Sequence, residues 1–99
     1  MAYTTVATLL QYFLKCQRVC TDTRKLLAGD LFFALKGDNF DGNRFAAQAL
    51  KDGAAFVVVD DPSIIKDERY LLVENTLLAL QNLARAYRQQ LNIPIVAIT

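Results

Sequence analysis

Two short stretches hold most of the side chains with which this chain can do chemistry. The first is Thr21-Asp22-Thr23-Arg24, which gathers two hydroxyls, a carboxylate and a guanidinium. Hydroxyls and backbone groups can read the edge of a base, and a guanidinium pairs with phosphate or holds a neighbouring carboxylate. An ordinary turn with an Asp–Arg pair uses the same residues, and on residue types alone that reading is favoured. The second stretch is Lys36-Gly37-Asp38-Asn39-Phe40-Asp41-Gly42-Asn43. The Asn39 amide offers donor and acceptor together, as recognition of a nucleobase requires, and Phe40 offers a ring face for stacking. Asp41 and Asn43 equally suit a helix cap, and Gly42 a turn. A G-x-x-x-x-G spacing runs from Gly37 to Gly42, but Asn43-Arg44 stands where a Walker loop has Lys-Ser or Lys-Thr.

What is missing narrows the chemistry further. The sequence has no histidine, so no His-based triad or histidine metal cluster forms. Cys16 and Cys20 are too few for a zinc site, which takes about four ligands. Two half-buried thiols flanking a helix end are expected, without a disulfide in a reducing compartment. Asp60-Asp61, before Pro62, reads as a solvated turn. The 11 basic and 10 acidic residues leave a net charge of +1 with no basic cluster, which argues against a nucleic-acid partner. The longest apolar run, Ala54 to Val59, is far too short to span a bilayer, and residues 1–14 lack the basic start and cleavage site of a signal peptide. No membrane association and a cytoplasmic location are expected. On its residues alone, the chain reads as a small binding module without a catalytic residue or metal site of its own.

The elements that must position these loops alternate in type. Val6, Leu9, Leu10, Phe13 and Leu14 form a helical stripe with Thr4 or Thr5 as cap. A short strand is expected at Arg18–Asp22, then a Gly29-Asp30 turn and a strand over Leu31–Leu35 buried on both faces. A helix from Asp41 or Gly42 to Asp52 buries Phe45, Ala46, Ala49 and Leu50, with Gly53 at its left-handed C-terminal cap. Strands follow at Ala54–Asp60 and Tyr70–Val73. Asn75 or Thr76 caps a helix with the stripe Leu77, Leu80, Ala84, Tyr87 and Leu91, and a last strand is read at Ile93–Ile98. With 54% hydrophobic and 21% charged residues, this is an α/β domain in three-layer style, with a mostly parallel sheet and about three helices.

Taken in order, T-D-T-R-K-x-x-x-G-D-L-F-F-A-L-K-G-x-N-F-D-G-N-x-F (Thr21–Phe45), A-L-x-x-G-A-A-F-V-V-V-D (Ala49–Asp60) and V-E-N-T-L-x-A-L-Q-x-L-A-R-A-Y-R (Val73–Arg88), leading into I-P-I-V-A-I-T, resemble the N-terminal domain of Mur ligases. D-T-R together with A-L-K-G-x-N-F-D-G is most similar to the branch that adds D-alanyl-D-alanine to UDP-N-acetylmuramoyl-tripeptide in peptidoglycan synthesis. The amino-acid-adding branch usually reads D-S-R. Asn43 departs from the histidine that many relatives carry.

The resemblance implies residues 1–92 as the domain that holds the UDP moiety and 93–99 as the start of a central domain that binds ATP and Mg²⁺. The ligase activity, through an acyl phosphate on the substrate carboxylate, then belongs to the whole protein and not to this piece. Carried over by position, Thr21 and Thr23 contact the uridine, Asp38, Asn39 and Phe40 form the opposite wall, and Arg24, Lys36 and Gly42 complete the residues that bind the UDP moiety or else only shape the loops. A related ligase with another acceptor, or a non-enzymatic interaction domain, stays open. Because the first strand of a P-loop domain runs straight into its Gly-rich loop, a G-x-x-G-K-[S/T] sequence is expected in the parent gene immediately after Thr99. The assignment fails if no Lys-Ser or Lys-Thr pair occurs within about ten residues of Thr99.

Overall fold

Short apolar runs rich in Val, Leu and Phe have too little length for helices and too little polarity for loops, so they pair into a sheet with both faces covered. The computed structural model describes the backbone of residues 3–16, 18–37 and 40–98, and the side chains of residues 3–16, 18–35 and 42–89. Strands β1 (Val19–Cys20), β2 (Leu31–Phe33), β5 (Phe56–Val59) and β6 (Tyr70–Leu72) form a four-stranded sheet in the order β1-β2-β5-β6. Every pairing in it is parallel, with Cys20 opposite Phe32, Phe32 opposite Val57 and Val57 opposite Tyr70. Between β2 and β5, strands β3 (Lys36–Gly37) and β4 (Phe40–Asp41) make a small antiparallel pair.

Period-two alternation sorts the side chains of this sheet into two cores. Leu31, Phe33, Val58, Leu71 and Val73 meet helices α1 (Val6–Cys16) and α3 (Thr76–Ile98) through Leu9, Ala79 and Leu83. Phe32, Ala34, Val57, Val59, Tyr70 and Leu72 face helix α2 (Ala46–Lys51), which contributes Ala46 and Ala49. The strands advance in one direction across the sheet, and Leu26, Ala46, Ile64 and Ile65, from all three crossovers, lie in the α2-side core. Parallel crossovers keep one hand, so strands that advance one way send every connection over the same face. The other face is left to the first and last helices, which meet edge-on through Phe13 and Tyr87, ring centroids 4.9 Å apart.

Local chemistry sets the element ends. Thr5 caps α1, its Oγ1 accepting from the Thr8 N–H. Asn75 caps α3, its Oδ1 accepting from the Leu78 N–H at 2.9 Å. After α2 the chain turns through Gly53 at φ +120°, where a side chain would be strained and a Cβ would press on Ala28 at 3.2 Å. Cys16 is half-buried and Cys20 buried, both as free thiols. Burial first, then the Asp30 carboxylate, pushes the Cys16 thiol up, which suits a structural role.

Several expectations need correction. The residues at Gly42–Phe45 form a 3-10 turn, and α2 proper starts only at Ala46. The tighter pitch takes Phe45 off the α-helical stripe, so it is 39% exposed rather than buried. Leu14 of the expected α1 stripe is exposed too, at the far edge of that stripe. In α3, Leu80 and Tyr87 of the expected stripe pack inward, Leu80 against the core and Tyr87 on Phe13, while Leu77 and Ala84 face outward and the buried positions are Thr76, Ala79 and Leu83. Leu91 of that stripe lies beyond the described side chains. Residues 93–98, expected as a strand, continue α3 as helix. None of the described strands lies alongside them, and a helix bonds its backbone groups within the segment even with Pro94 removing one donor.

The loop from β1 to β2 is held by a clamp. The Asp30 carboxylate, 2% exposed, accepts from Arg18 Nε at 3.0 Å on both oxygens and from the Leu27 N–H at 2.9 Å. The same guanidinium donates to the Lys25 carbonyl through Nη2 at 2.9 Å. Arg18→Ala leaves a buried carboxylate with a backbone donor but no cation. Breaking a fully buried pair costs about 3–5 kcal/mol, and the half-exposed Arg18 lowers the expected loss to about 2–3 kcal/mol. Urea unfolding of the two proteins measures it, and a loss below about 0.5 kcal/mol would show that the clamp contributes no more than a surface pair.

Candidate functional site

In a parallel sheet with helices on both faces, ligands meet the carboxyl ends of the strands, where the loops diverge. Here β1 ends at Cys20 and its neighbour β2 at Phe33, and each leads directly into one of the two polar stretches. A cleft of about 340 Å³ opens there, lined by Thr21, Asp22, Thr23, Arg24, Phe32 and Phe45. That volume is at the lower end of the range of about 300–1,000 Å³ typical of small-molecule sites.

The cleft's first wall is a 3-10 turn, Thr23–Lys25, capped by Asp22. Asp22 Oδ1 accepts from the Arg24 N–H at 2.9 Å, and the carboxylate takes the Arg24 guanidinium through Nε at 3.1 Å and Nη2 at 2.9 Å. The Arg24 side-chain bond, then its backbone bond, holds the Asp22 carboxyl at about 2, and the same pair pushes the Arg24 guanidinium up. Asp22 is thus ionised at neutral pH and too weak a base to take a proton there. The Cys20 thiol donates to the Asp22 carbonyl at 2.9 Å, tying the turn back to β1.

An internal comparison shows what this pair means. Asp67 accepts from the Arg69 N–H at 2.8 Å and from its Nη2 at 2.8 Å, the same D-x-R geometry just before β6, the opposite edge strand. The Asp22–Arg24 pair is therefore ordinary turn chemistry, as the residue types favour, and Arg24 spends its charge on Asp22. The difference is the setting: Thr21, exposed, and Thr23, half-buried, border the cleft on either side of Asp22.

The second wall is only partly described. Lys36 lies in β3 and Phe40 in β4, with side chains outside the described set, and Asp38 and Asn39 fall outside the described residues altogether. The structure thus brings Thr21, Thr23 and Arg24 together and leaves the positions of Asp38 and Asn39 open. Its anchors are described, however. The Gly42 N–H donates to the Leu35 carbonyl at 2.7 Å, closing the hairpin. A Cβ at Gly42 would sit 2.5 Å from that oxygen and 2.7 Å from the Ala34 carbonyl carbon, all backbone that cannot give way. Gly42 is there because two backbones touch.

Asn43, 4% exposed, donates from Nδ2 to Asp60 Oδ1 at 2.8 Å and accepts from the Asp60 N–H at 3.2 Å. The expected solvated turn at Asp60-Asp61 is instead engaged on both sides, since Asp61 caps the next 3-10 turn through the Ser63 N–H at 2.9 Å. Asp60 directly follows β5, so its carboxylate is within reach of the loop that leaves β2 beside it.

Phe32 and Phe45 line the cleft and were not among the residues singled out from the sequence. Phe32 reads as core from the sequence, which it also is, and Phe45 reads as part of a buried helical stripe, so nothing in the sequence marks it as a cleft residue.

Residues 15–98 match the family described as "Mur ligase family, catalytic domain". A UDP-N-acetylmuramoyl-tripeptide–D-alanyl-D-alanine ligase from Synechocystis sp. is 46% identical over 88 residues, covering 87% of this chain and 19% of the relative. Among solved structures, MurF from Acinetobacter baumannii superposes with a TM-score of 0.69 at 32% identity, over 91% of this chain and 22% of that one. MurF ligase from Thermotoga maritima, solved in complex with ADP, gives 0.64 at 33% identity, over 70% and 16%. The chain thus spans about a fifth of the length of the relatives it matches. A match over most of its residues, in sequence and in fold, makes this chain a member of the Mur ligase family.

Proposed function

We propose that this chain holds the uridine diphosphate end of UDP-N-acetylmuramoyl-tripeptide, and that the whole protein joins this precursor to D-alanyl-D-alanine at the expense of ATP. The carrying observation is the cleft at the carboxyl ends of β1 and β2, bordered by the threonines of the T-D-T-R motif. In this reading Thr21 and Thr23 offer hydroxyls to the uridine, and Asp38, Asn39 and Phe40 supply the opposite wall. Asp22 and Arg24 hold the turn rather than the ligand, since they are already paired. Lys36 starts the hairpin and Gly42 closes it.

The chemistry of the reaction is assigned to the rest of the protein. A carboxyl held at about 2 is poorly suited to proton transfer, which supports a binding role for this end of the chain. The ADP seen with the Thermotoga maritima relative supports an adenine nucleotide in the complete protein, and the magnesium ion that accompanies ATP phosphates would bind there. There ATP converts the precursor's carboxylate to an acyl phosphate, and the amine of D-alanyl-D-alanine displaces the phosphate. The segment after about residue 92 leads toward that part. No helix among the described residues is long and apolar enough to cross a membrane, which agrees with work on a water-soluble, nucleotide-linked precursor in the cytoplasm.

Two measurements test the reading. Adding UDP-N-acetylmuramoyl-tripeptide to isotope-labelled protein is expected to move the amide signals of Thr21–Arg24 and Lys36–Asn43 first. A response confined to a distant surface would put the site elsewhere. In the full-length enzyme, Asn39→Ala is expected to raise the KM for the precursor by roughly a few-fold to tenfold, the worth of one neutral hydrogen bond, with little change in kcat. The uridine is far from the reacting carboxylate, so its contacts are the same in ground and transition states. A loss of kcat at unchanged KM would remove Asn39 from the uridine wall.

A further inference from the structure

We propose that Asn43 is a positioning residue for the nucleotide: its link to Asp60 sets where the second wall stands, and with it the width of the cleft. The proposal rests on reading the cleft as a uridine site. Asn43 is 4% exposed and lies in the 3-10 turn Gly42–Phe45, directly after the hairpin of β3 and β4. Its Nδ2 donates to Asp60 Oδ1 at 2.8 Å, and its Oδ1 accepts from the Asp60 N–H at 3.2 Å. A primary amide that gives to and takes from one residue is fixed in orientation as well as in place. The sheet itself does not need this link. β2 and β5 are already in register through Leu31–Phe56, Phe32–Val57 and Phe33–Val58. What the link adds is a fixed end for the polar stretch that leaves β2.

The strand order gives that fixed end its meaning. β2 lies between β1 and β5. The first wall, Thr21–Arg24, follows β1, and the Arg18–Asp30 clamp holds its loop. The second stretch leaves β2 but is fastened beyond it, at the residue after β5. The two walls are thus referred to strands on opposite sides of β2, and Phe32 of β2 lines the cleft between them. The Gly42–Leu35 bond closes the hairpin at 2.7 Å but leaves its lean open. The Asn43–Asp60 link settles the lean toward β5, away from the threonines. Hydrogen bonds lose strength quickly as their geometry departs from the ideal, so contacts made from two walls at once depend on the distance between those walls. Asn43, buried at the foot of one wall, acts on the nucleotide through that wall.

The test uses the full-length enzyme and UDP-N-acetylmuramoyl-tripeptide. Asn43→Asp keeps the shape of the side chain but sets a carboxylate against the Asp60 carboxylate, and it should raise the KM for the precursor about fivefold or more with kcat within about twofold. The double variant Asn43→Asp/Asp60→Asn reverses the pair: the amide at position 60 donates to the carboxylate at position 43, which still accepts from the backbone N–H. Its KM should return to within about twofold of the unsubstituted enzyme. Asp60→Ala keeps the backbone bond and loses the side-chain one. It should raise KM about two- to threefold, and it provides the measurement where Asn43→Asp does not fold. A merely structural link would lower the active fraction, and so the apparent kcat, at unchanged KM. That outcome, or a double variant no better than Asn43→Asp, overturns the proposal. Unchanged KM in these variants while Asn39→Ala still raises it overturns the proposal and leaves the uridine wall in place. Unchanged KM in all of them, Asn39→Ala included, overturns the uridine reading and the proposal with it.

Discussion

A buried carboxylate needs partners, and Asp30 finds them by pulling three segments together. It takes the Arg18 guanidinium from just before β1 and the Leu27 N–H from its own loop, while the same guanidinium holds the Lys25 carbonyl. These bonds fold residues 21–30 back against the start of the sheet. Leaving Asp30 unpaired at its depth costs several kcal/mol, so the loop has one inexpensive conformation. The cleft follows from that constraint. The Thr23–Lys25 turn stands where it does because the chain on its far side, at Lys25 and Leu27, is tied to the same ion pair. The Asp22–Arg24 pair, exposed and repeated at Asp67–Arg69, adds local shape and cannot set the loop's position.

Topology supplies the second constraint. Four parallel strands that advance in one direction put every carboxyl end on one side of the sheet. The two polar stretches therefore leave adjacent strands at the same end, brought together by the pairing of Val19 with Leu31 and Cys20 with Phe32. This was legible in the residues: apolar runs bounded by glycine, alternating with helical stripes, permit few other arrangements. The motif residues Thr21, Thr23 and Arg24 were legible for the same reason, since polar side chains directly after a buried strand have no core to enter.

What escaped the sequence escaped for particular reasons. The α3 stripe holds at Leu80 and Tyr87 and fails at Leu77 and Ala84, because Ala79 and Leu83 offer an equally good apolar row beside it. Phe45 was misplaced because a 3-10 turn and an α-turn have similar composition but different pitch. The segment Ile93–Ile98 has a composition that serves strand or helix, and the outcome depends on whether a sheet edge lies beside it. The Asn43–Asp60 pair joins residues 17 apart, a separation at which local pattern carries no signal. For Asn43 and for residues 93–98 the deciding partner lies outside the segment, while for Phe45 it is a local difference in pitch.

That same pair shows how the second wall is made firm at its base. The segment from Leu35 to Asn43 is fastened at three points. Ala34 bonds to Val58 at 2.9 Å, Gly42 bonds back to Leu35, and Asn43 grips Asp60 after β5. All three fasten to β2 or β5 or to their ends, so the start of the segment and its close are both referred to the sheet. Asn43 both donates to the Asp60 carboxylate and accepts from the Asp60 N–H, so the chain that follows β4 is tied to the end of β5 by side chain and backbone together.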